Sequence, residues 1–195
     1  MVPRAGLDQT TVLNAAAELA DAHGFDQVTL ALLAQKLGVR TPSLYNHIDG
    51  LPGLKRKLSA YGLQQLYDRL LLSAAGLSGD DAVRAFAHAY LSFARSRPGL
   101  YELTLRAAEP DETEFARVGG EIVELIVRIL GAYQLQEDAA IHAVRGLRSI
   151  LHGFASLERI GGFRMPVGLD ESFRVLLDTF LAGLRAIKSN EGGPA

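Results

Sequence analysis

The chain has 195 residues, of which 48% are hydrophobic, enough for one domain with a sizeable core or for a small domain fused to a larger one. Cysteine is absent, which excludes disulfides, zinc ribbons and thiol catalysis. The N-terminal stretch MVPRAGLDQ has no apolar signal core, and no apolar run approaches the roughly 18 residues of a membrane span. A cytoplasmic protein without a membrane segment is therefore expected.

The formal net charge of −2 conceals an uneven distribution of basic residues. Residues 1–60 contain six basic and five acidic side chains, whereas residues 61–195 contain 14 basic and 17 acidic ones. Between Lys36 and Lys57 there are five bases and a single acid, Asp49. A local excess of positive charge on a mildly acidic protein favours a small nucleic-acid-binding segment over a generally basic surface.

Apolar residues recur at helical spacing along nearly the whole chain, and β-branched alternation is scarce. The first helix is predicted over about 9–22, with Gly24 as its C-cap. Thr29 is a good N-cap for a second helix over 30–37, which Gly38 ends.

A third helix is predicted to start at Thr41-Pro42, because proline is favoured at the first helical position. Residues 29–57 thus predict two short helices joined by a tight turn, with a longer helix behind them. This is the arrangement of a helix-turn-helix whose second helix enters the DNA major groove.

Six further helices are predicted, over about 51–74, 81–96, 99–107, 112–132, 136–159 and 170–187. The predicted fold class is therefore all-α, with about nine helices in an N-terminal helix-turn-helix head and a C-terminal helical bundle. The predicted domains are a DNA-binding head over 1–50, a ligand-binding and dimerisation body over 51–188, and a disordered tail over 189–195.

The segment LAQKLGVRTPSLYNHIDGLPGL resembles the helix-turn-helix of TetR-type transcriptional regulators. The resemblance implies an all-α homodimer with a DNA-binding head and a ligand-sensing body, most often a repressor. It is carried by a dense pattern of turn, cap and recognition-helix residues, namely Gly24, Thr29, Leu33-Ala34, Leu37-Gly38-Val39, Ser43-Leu44-Tyr45, His47 and Leu54.

The body resembles a TetR subgroup with a His-Gly pair and a downstream Leu-Glu, here His152-Gly153 and Leu157-Glu158, although the Trp often found before the pair is Leu151. A second departure lies in the head. Many members have a phosphate-binding Lys at the position of Leu51. One of the three bases at 55–57, or the amide groups at the start of this helix, would have to replace it.

Leu44 and Ile48 are predicted to point into the core, which leaves the polar residues around them for DNA. The resemblance implies that Tyr45 and His47 contact phosphates, and hydroxyls near a helix N-terminus can meet phosphates or base edges. Two alternatives remain open, since Tyr45 could be a partly buried packing residue and residues 55–57 could form a solvated helix face. The predicted DNA-binding set is Thr29, Arg40, Thr41, Ser43, Tyr45, Asn46, His47 and Lys55.

The resemblance also implies a small-molecule cavity within the body helices. Aromatic residues at helical spacing are equally typical of plain core, so this alternative stays open. An apolar lining would select a largely apolar effector. The predicted lining is Tyr67, Phe86, Tyr90, Phe93, Tyr101, Leu105, Arg106, Phe115 and Phe154.

No metal site or cofactor is predicted. The spacing of His88, His142 and His152 fits no ligand motif, and no carboxylate follows His88 or His152 by three or four residues. A close helix–helix approach at Gly153 is an alternative reason for the His-Gly pair.

The last two helices carry apolar stripes that predict a four-helix dimer interface, unless the stripes only pack on their own body. A dimer would present two heads to the half-sites of a palindromic operator on double-stranded DNA. The predicted interface residues are Leu147, Leu151, Phe154, Phe173, Leu177, Phe180, Leu181 and Leu184.

The sequence thus favours a homodimeric, ligand-responsive DNA-binding regulator, most often a repressor in this family. An enzyme with an all-α body is a second possibility, but no catalytic triad spacing, HExxH motif or phosphate-binding glycine loop supports it. A protein-interaction adaptor that kept the fold and lost DNA binding is a third.

Overall fold

The computed structural model describes residues 7–191, with side-chain burial as far as Ile187. In this range the regular structure is entirely helical, which confirms the predicted all-α fold. Three 3-10 segments cover Phe25–Gln27, Thr41–Asn46 and Gly131–Tyr133. The α-helices are α1 (Gln9–His23), α2 (Leu30–Leu37), α3 (Gly50–Ala74), α4 (Gly79–Ser96), α5 (Pro98–Leu103), α6 (Thr113–Leu130), α7 (Glu137–Arg159) and α8 (Leu169–Glu191).

Most helix limits agree with the predicted ones, and two differ. The predicted helix over 99–107 ends at Leu103, where the Thr104 hydroxyl donates to the Tyr101 carbonyl and closes the last turn. Helix α8 continues to Glu191, so residues 189–191 of the predicted disordered tail are helical, and residues 192–195 lie outside the described part. None of the helices over residues 7–191 is both long and apolar enough to span a membrane.

The chain forms two compact units. The head unit comprises the chain up to Leu66 together with Ser96–Gly119, and the body unit comprises Tyr67–Arg95 together with the chain from Gly120 onward. The limits fall inside α3 and α6 and before the last residue of α4. The head unit is therefore larger than the predicted segment 1–50, because it also contains the first part of α3, all of α5 and the start of α6.

In the head unit, α1 packs against both α2 and α5. Ala16, Ala17 and Ala20 are fully buried, and these small side chains let the α5 backbone come close to α1. A Cβ atom built on Gly99 would lie only 2.1 Å from the carbonyl oxygen of Ala20. The approach of α1 to α5 therefore requires glycine at position 99.

Polar contacts hold the same junction of α1 and α5. The Asp21 carboxylate accepts a hydrogen bond from the Leu100 amide at 3.0 Å and pairs with Arg97 Nε at 2.5 Å. Arg97 also donates to the Gln65 side chain of α3 at 3.0 Å. Asp21 thus accepts one of the free N-terminal amides of α5, and Arg97 connects this contact to α3.

In the body unit, α7 packs against α8, and the interior is rich in phenylalanine. The Phe154 ring lies 4.9 Å from the ring centroids of both Phe163 and Phe173. Arg95 of α4 pairs with Glu158 and Asp170, which fixes the end of α7 and the start of α8 to α4.

Candidate nucleic-acid interface

Local capping fixes the turn after α2. The Thr29 hydroxyl oxygen accepts the Leu32 amide at 3.1 Å, which is the N-cap interaction expected from the sequence. At the other end, Gly38 adopts a left-handed conformation with φ of 66°, and the Val39 amide reaches back to the Ala34 carbonyl at 3.0 Å. This closing geometry favours glycine and sets the direction in which the chain leaves α2.

The segment predicted as a recognition helix, Thr41–Asn46, is a 3-10 segment and not an α-helix. Its hydrogen bonds run from Ser43 to the Arg40 carbonyl and from His47 to the Leu44 carbonyl, at 2.9 Å each. The amide of Ile48 donates to the Leu44 carbonyl at 3.1 Å, which is the α-helical spacing. The segment has only six residues, and 3-10 geometry is typical of such short pieces.

Leu44 and Ile48 are 0% and 2% exposed, which confirms that they anchor the segment in the core. Tyr45 lies between them in the sequence and is 58% exposed, so more than half of its surface is accessible, although part of it is covered. Arg40 and Asn46 are also exposed, while Thr41, Ser43 and His47 are half-buried. The segment therefore presents a polar outer surface on two buried anchors.

Thr29 and Lys55 complete the predicted DNA-binding set, and both are exposed in the head unit. The Thr29 oxygen is already an acceptor for Leu32, but its hydroxyl hydrogen remains able to donate to a phosphate. Lys55 Nζ lies 5.7 Å from the ring centroid of Phe25, so this lysine extends along the segment between α1 and α2. Leu51 is exposed at the start of α3.

Lys57, one of the three bases at 55–57, makes a contact within the head unit that the sequence did not predict. Its Nζ donates to the carbonyl oxygen of His47 at 2.7 Å, at the end of the recognition segment. Lys57 therefore holds the segment in place from α3. The two residues are ten positions apart, and only the tertiary fold brings them together, so no spacing rule could reveal the contact.

The nine predicted ligand-binding residues are divided between the two units. Tyr101, Leu105, Arg106 and Phe115 belong to the head unit, and the other five belong to the body unit. Six of the seven aromatic residues in the set are buried, as a packed core alone would require. Arg106 forms a bidentate ion pair with Glu112 at 2.5 Å and stacks 4.6 Å above the Phe115 ring. Ligand binding by this set stays a prediction.

Seven of the eight predicted interface residues are buried within the single chain, and Phe180 is half-buried. Their side chains already pack in their own bundle, so they cannot supply most of the area that a second subunit would cover. No other group lies within 4 Å of a Cβ built on Gly153, so within the described chain this glycine marks no close helix approach. The His88 ring packs edge-on against Phe173 at 5.5 Å.

Comparison with known proteins agrees with this geometry. Residues 12–47 match the family model described as "Bacterial regulatory proteins, tetR family", and residues 83–180 match "Tetracyclin repressor-like, C-terminal domain". The uncharacterized HTH-type transcriptional regulator YobS of Bacillus subtilis is 43% identical over 186 residues, covering 94% of this chain and 96% of its own.

A second relative, the uncharacterized HTH-type regulator Rv0681 of Mycobacterium tuberculosis, is 31% identical over 192 residues, covering 98% of this chain and 87% of its own. Among solved structures, a Rhodococcus sp. RHA1 protein of unknown function superimposes with a TM-score of 0.80 at 24% identity. That match covers 95% of this chain and all of the other, and it shows a shared fold.

Proposed function

Because the chain belongs to the TetR family of DNA-binding transcriptional regulators, which are not enzymes, we propose that it is a homodimeric repressor of a palindromic operator. A small, largely apolar effector would release it from the DNA. Assignment to the subgroup with the His-Gly pair is part of this proposal. One observation carries the DNA-binding part, namely the exposure of Arg40, Tyr45 and Asn46 on a segment anchored by buried Leu44 and Ile48.

The proposed dimer uses exposed apolar residues of α7 and α8. Leu157 and Val175 are each nearly half exposed, and Ile141 and Ile187 are also exposed at other points of these helices. Because the inner side of this helix pair is already packed, these outer apolar side chains are the ones that remain available for a contact between subunits. A two-fold pair of heads would read two half-sites about one helical turn apart, or a multiple of it.

Footprinting tests the proposal on DNA selected by the full-length protein from a random library. We expect one protected site with two inverted half-sites. Replacing Arg40 or Tyr45 by alanine should weaken binding about tenfold or more, since each substitution removes a contact to a phosphate or a base edge.

Arg128→Gln is the matched control for the loss of one positive charge, because Arg128 is exposed on the part of α6 that belongs to the body unit. This variant should bind the selected DNA like the unmodified protein. A protein that selects no sequence at low salt, or whose affinity is unchanged by both head substitutions, would instead be an adaptor on a regulator fold.

Lys55 and Lys57 are expected to affect DNA binding in different ways. Lys55 is proposed to neutralise a phosphate, so Lys55→Met should lower affinity and reduce the slope of log K against log salt by about one. Lys57 holds the His47 carbonyl, so Lys57→Met should lower affinity and leave the slope unchanged. Binding titrations between 50 and 200 mM salt, a range of roughly fourfold, would separate the two roles.

A further inference from the structure

A cleft of about 480 Å³ opens in the head unit, and Lys57, which contacts the end of the recognition segment, is part of its lining. It is lined by the start of α1, the middle of α3 and the residues that lead into α6. Four apolar or aromatic side chains contribute to its walls, namely Leu13, Ala60, Tyr61 and Phe115. The other eight lining residues are polar or charged, and the volume lies within the range of small-molecule sites.

Most of the charged side chains in the cleft are already engaged. Lys57 donates to the His47 carbonyl, the Glu112 carboxylate is held by Arg106, and Glu114 pairs with Arg117 at 2.6 Å. These three groups shape the walls and each has a partner within the protein, although Lys57 uses only one of its three donors for His47.

Arg56 is different. It is exposed, and within residues 7–191 its guanidinium forms no ion pair or hydrogen bond. Its positive charge acts on Glu112 without a direct contact and is the smallest of the influences that lower the pKa of that carboxyl. Arg56 lies one helical turn before Ala60 on α3, so both line the cleft from the same helix side.

Asp111 is the remaining charged residue of the lining, and it is exposed in the loop before α6. Its carboxylate would favour a cationic ligand, which titration with an amine probe tests. A guanidinium, in contrast, can bind a carboxylate through two parallel hydrogen bonds.

We propose that this cleft binds an aromatic carboxylate, with the ring beside Tyr61 and Phe115 and the carboxylate on Arg56. The site lies wholly within the head unit and is separate from the aromatic residues of the body unit. Its existence does not depend on operator binding or repression, so it is tested on the protein without DNA.

Isothermal titration of the full-length protein with naphthalene-2-carboxylate tests the site. The neutral control is naphthalene-2-carboxamide, and the cationic control is 2-naphthylmethylamine. The carboxylate should bind about tenfold more tightly than the carboxamide, since a charge-assisted pair is worth more than a neutral hydrogen bond. Arg56→Gln should abolish this preference, and the exposed Arg128→Gln should retain it.

Substitutions that fill the cleft are a second test of the site. Ala60→Phe should reduce binding of all three probes at least fivefold, whereas Ala116→Phe, an exposed position on α6 that does not line the cleft, should leave binding unchanged. Thermal melts would show whether each variant is folded. If Ala60→Phe does not fold, the comparison of Arg56→Gln with Arg128→Gln tests the proposal alone. Equal affinity for carboxylate and carboxamide, tighter binding of the amine, or an unchanged preference in Arg56→Gln would overturn the proposal.

Discussion

Gly99→Ala is expected to destabilise the protein by about 3 kcal/mol or more, the upper end for overpacking in a close-packed interior. The new methyl group would lie 2.1 Å from the carbonyl oxygen of Ala20. The three nearest atoms all belong to the backbone of Ala20 and Asp21, so no side-chain rotation can relieve the clash. Helices α1 and α5 would have to separate. That movement would also weaken the hydrogen bond from the Leu100 amide to Asp21. Urea unfolding followed by circular dichroism measures the loss.

Gly120→Ala in α6 is the matched control. Nothing lies within 4 Å of a Cβ atom at this exposed helical position, so the substitution should stabilise the protein by about 0.5–1 kcal/mol through helix propensity alone. Because alanine is also the better helix former at Gly99, a loss at position 99 reports the clash. A Gly99→Ala protein as stable as the unmodified one would show that α1 and α5 are not in close contact.

Glu112→Gln is the second substitution with a large expected effect, at about 2 kcal/mol. Glu112 is only 9% exposed, and its carboxylate accepts two hydrogen bonds from Arg106 and one from the Glu109 amide at 2.9 Å. The neutral amide has one acceptor oxygen in place of two, so it leaves part of the Arg106 guanidinium unpaired. Arg106 also donates to Ser59 of α3, so the loss would loosen the loop before α6.

The same ion pair makes stability depend on pH. The hydrogen bonds from Arg106 are the main reason that the pKa of Glu112 falls from 4.5 to about 2. A carboxyl whose pKa is lower in the folded state stabilises the protein fully above its unfolded pKa and loses this contribution as pH falls through the folded value. The contribution of Glu112 should therefore decline between about pH 4.5 and pH 2.

Unfolding free energies of the unmodified protein and Glu112→Gln at pH 6, 4 and 3 would show this. We expect the gap between the two proteins to narrow as the pH falls. Glu114→Gln is the control, because Glu114 is exposed and pairs with Arg117 on the same helix, and it should alter stability little at any pH. A constant gap for Glu112→Gln would mean that the carboxylate is not the group that Arg106 holds.

The sequence predicted those features that depend on neighbouring residues. Thr29 and Gly38 act within one turn of α2, so residue type and spacing were enough to place both ends of that helix. The buried anchors Leu44 and Ile48 followed from the helical period in the same way.

Features that depend on distant residues were not predictable in this way. The contact of Lys57 with His47 and the ion pair of Arg106 with Glu112 arise only when the chain has folded, and Arg106 was instead assigned to a ligand site. The apolar stripes of α7 and α8 were assigned to a dimer interface because a periodic pattern cannot tell which neighbour covers it. Burial within the single chain accounts for seven of those eight residues.

The order in which the head unit is assembled from the chain has a consequence for protein synthesis. Its first part ends at Leu66, but α5 and the start of α6, which complete it, are translated only after the whole of α4. At typical elongation rates the ribosome needs roughly 3 to 10 s to travel from residue 66 to residue 119. Until Gly99 and Leu100 emerge, the side of α1 that they cover has no partner within the head unit. A nascent chain halted after residue 50 would therefore carry the helix-turn-helix sequence without α5, the helix that completes its packing.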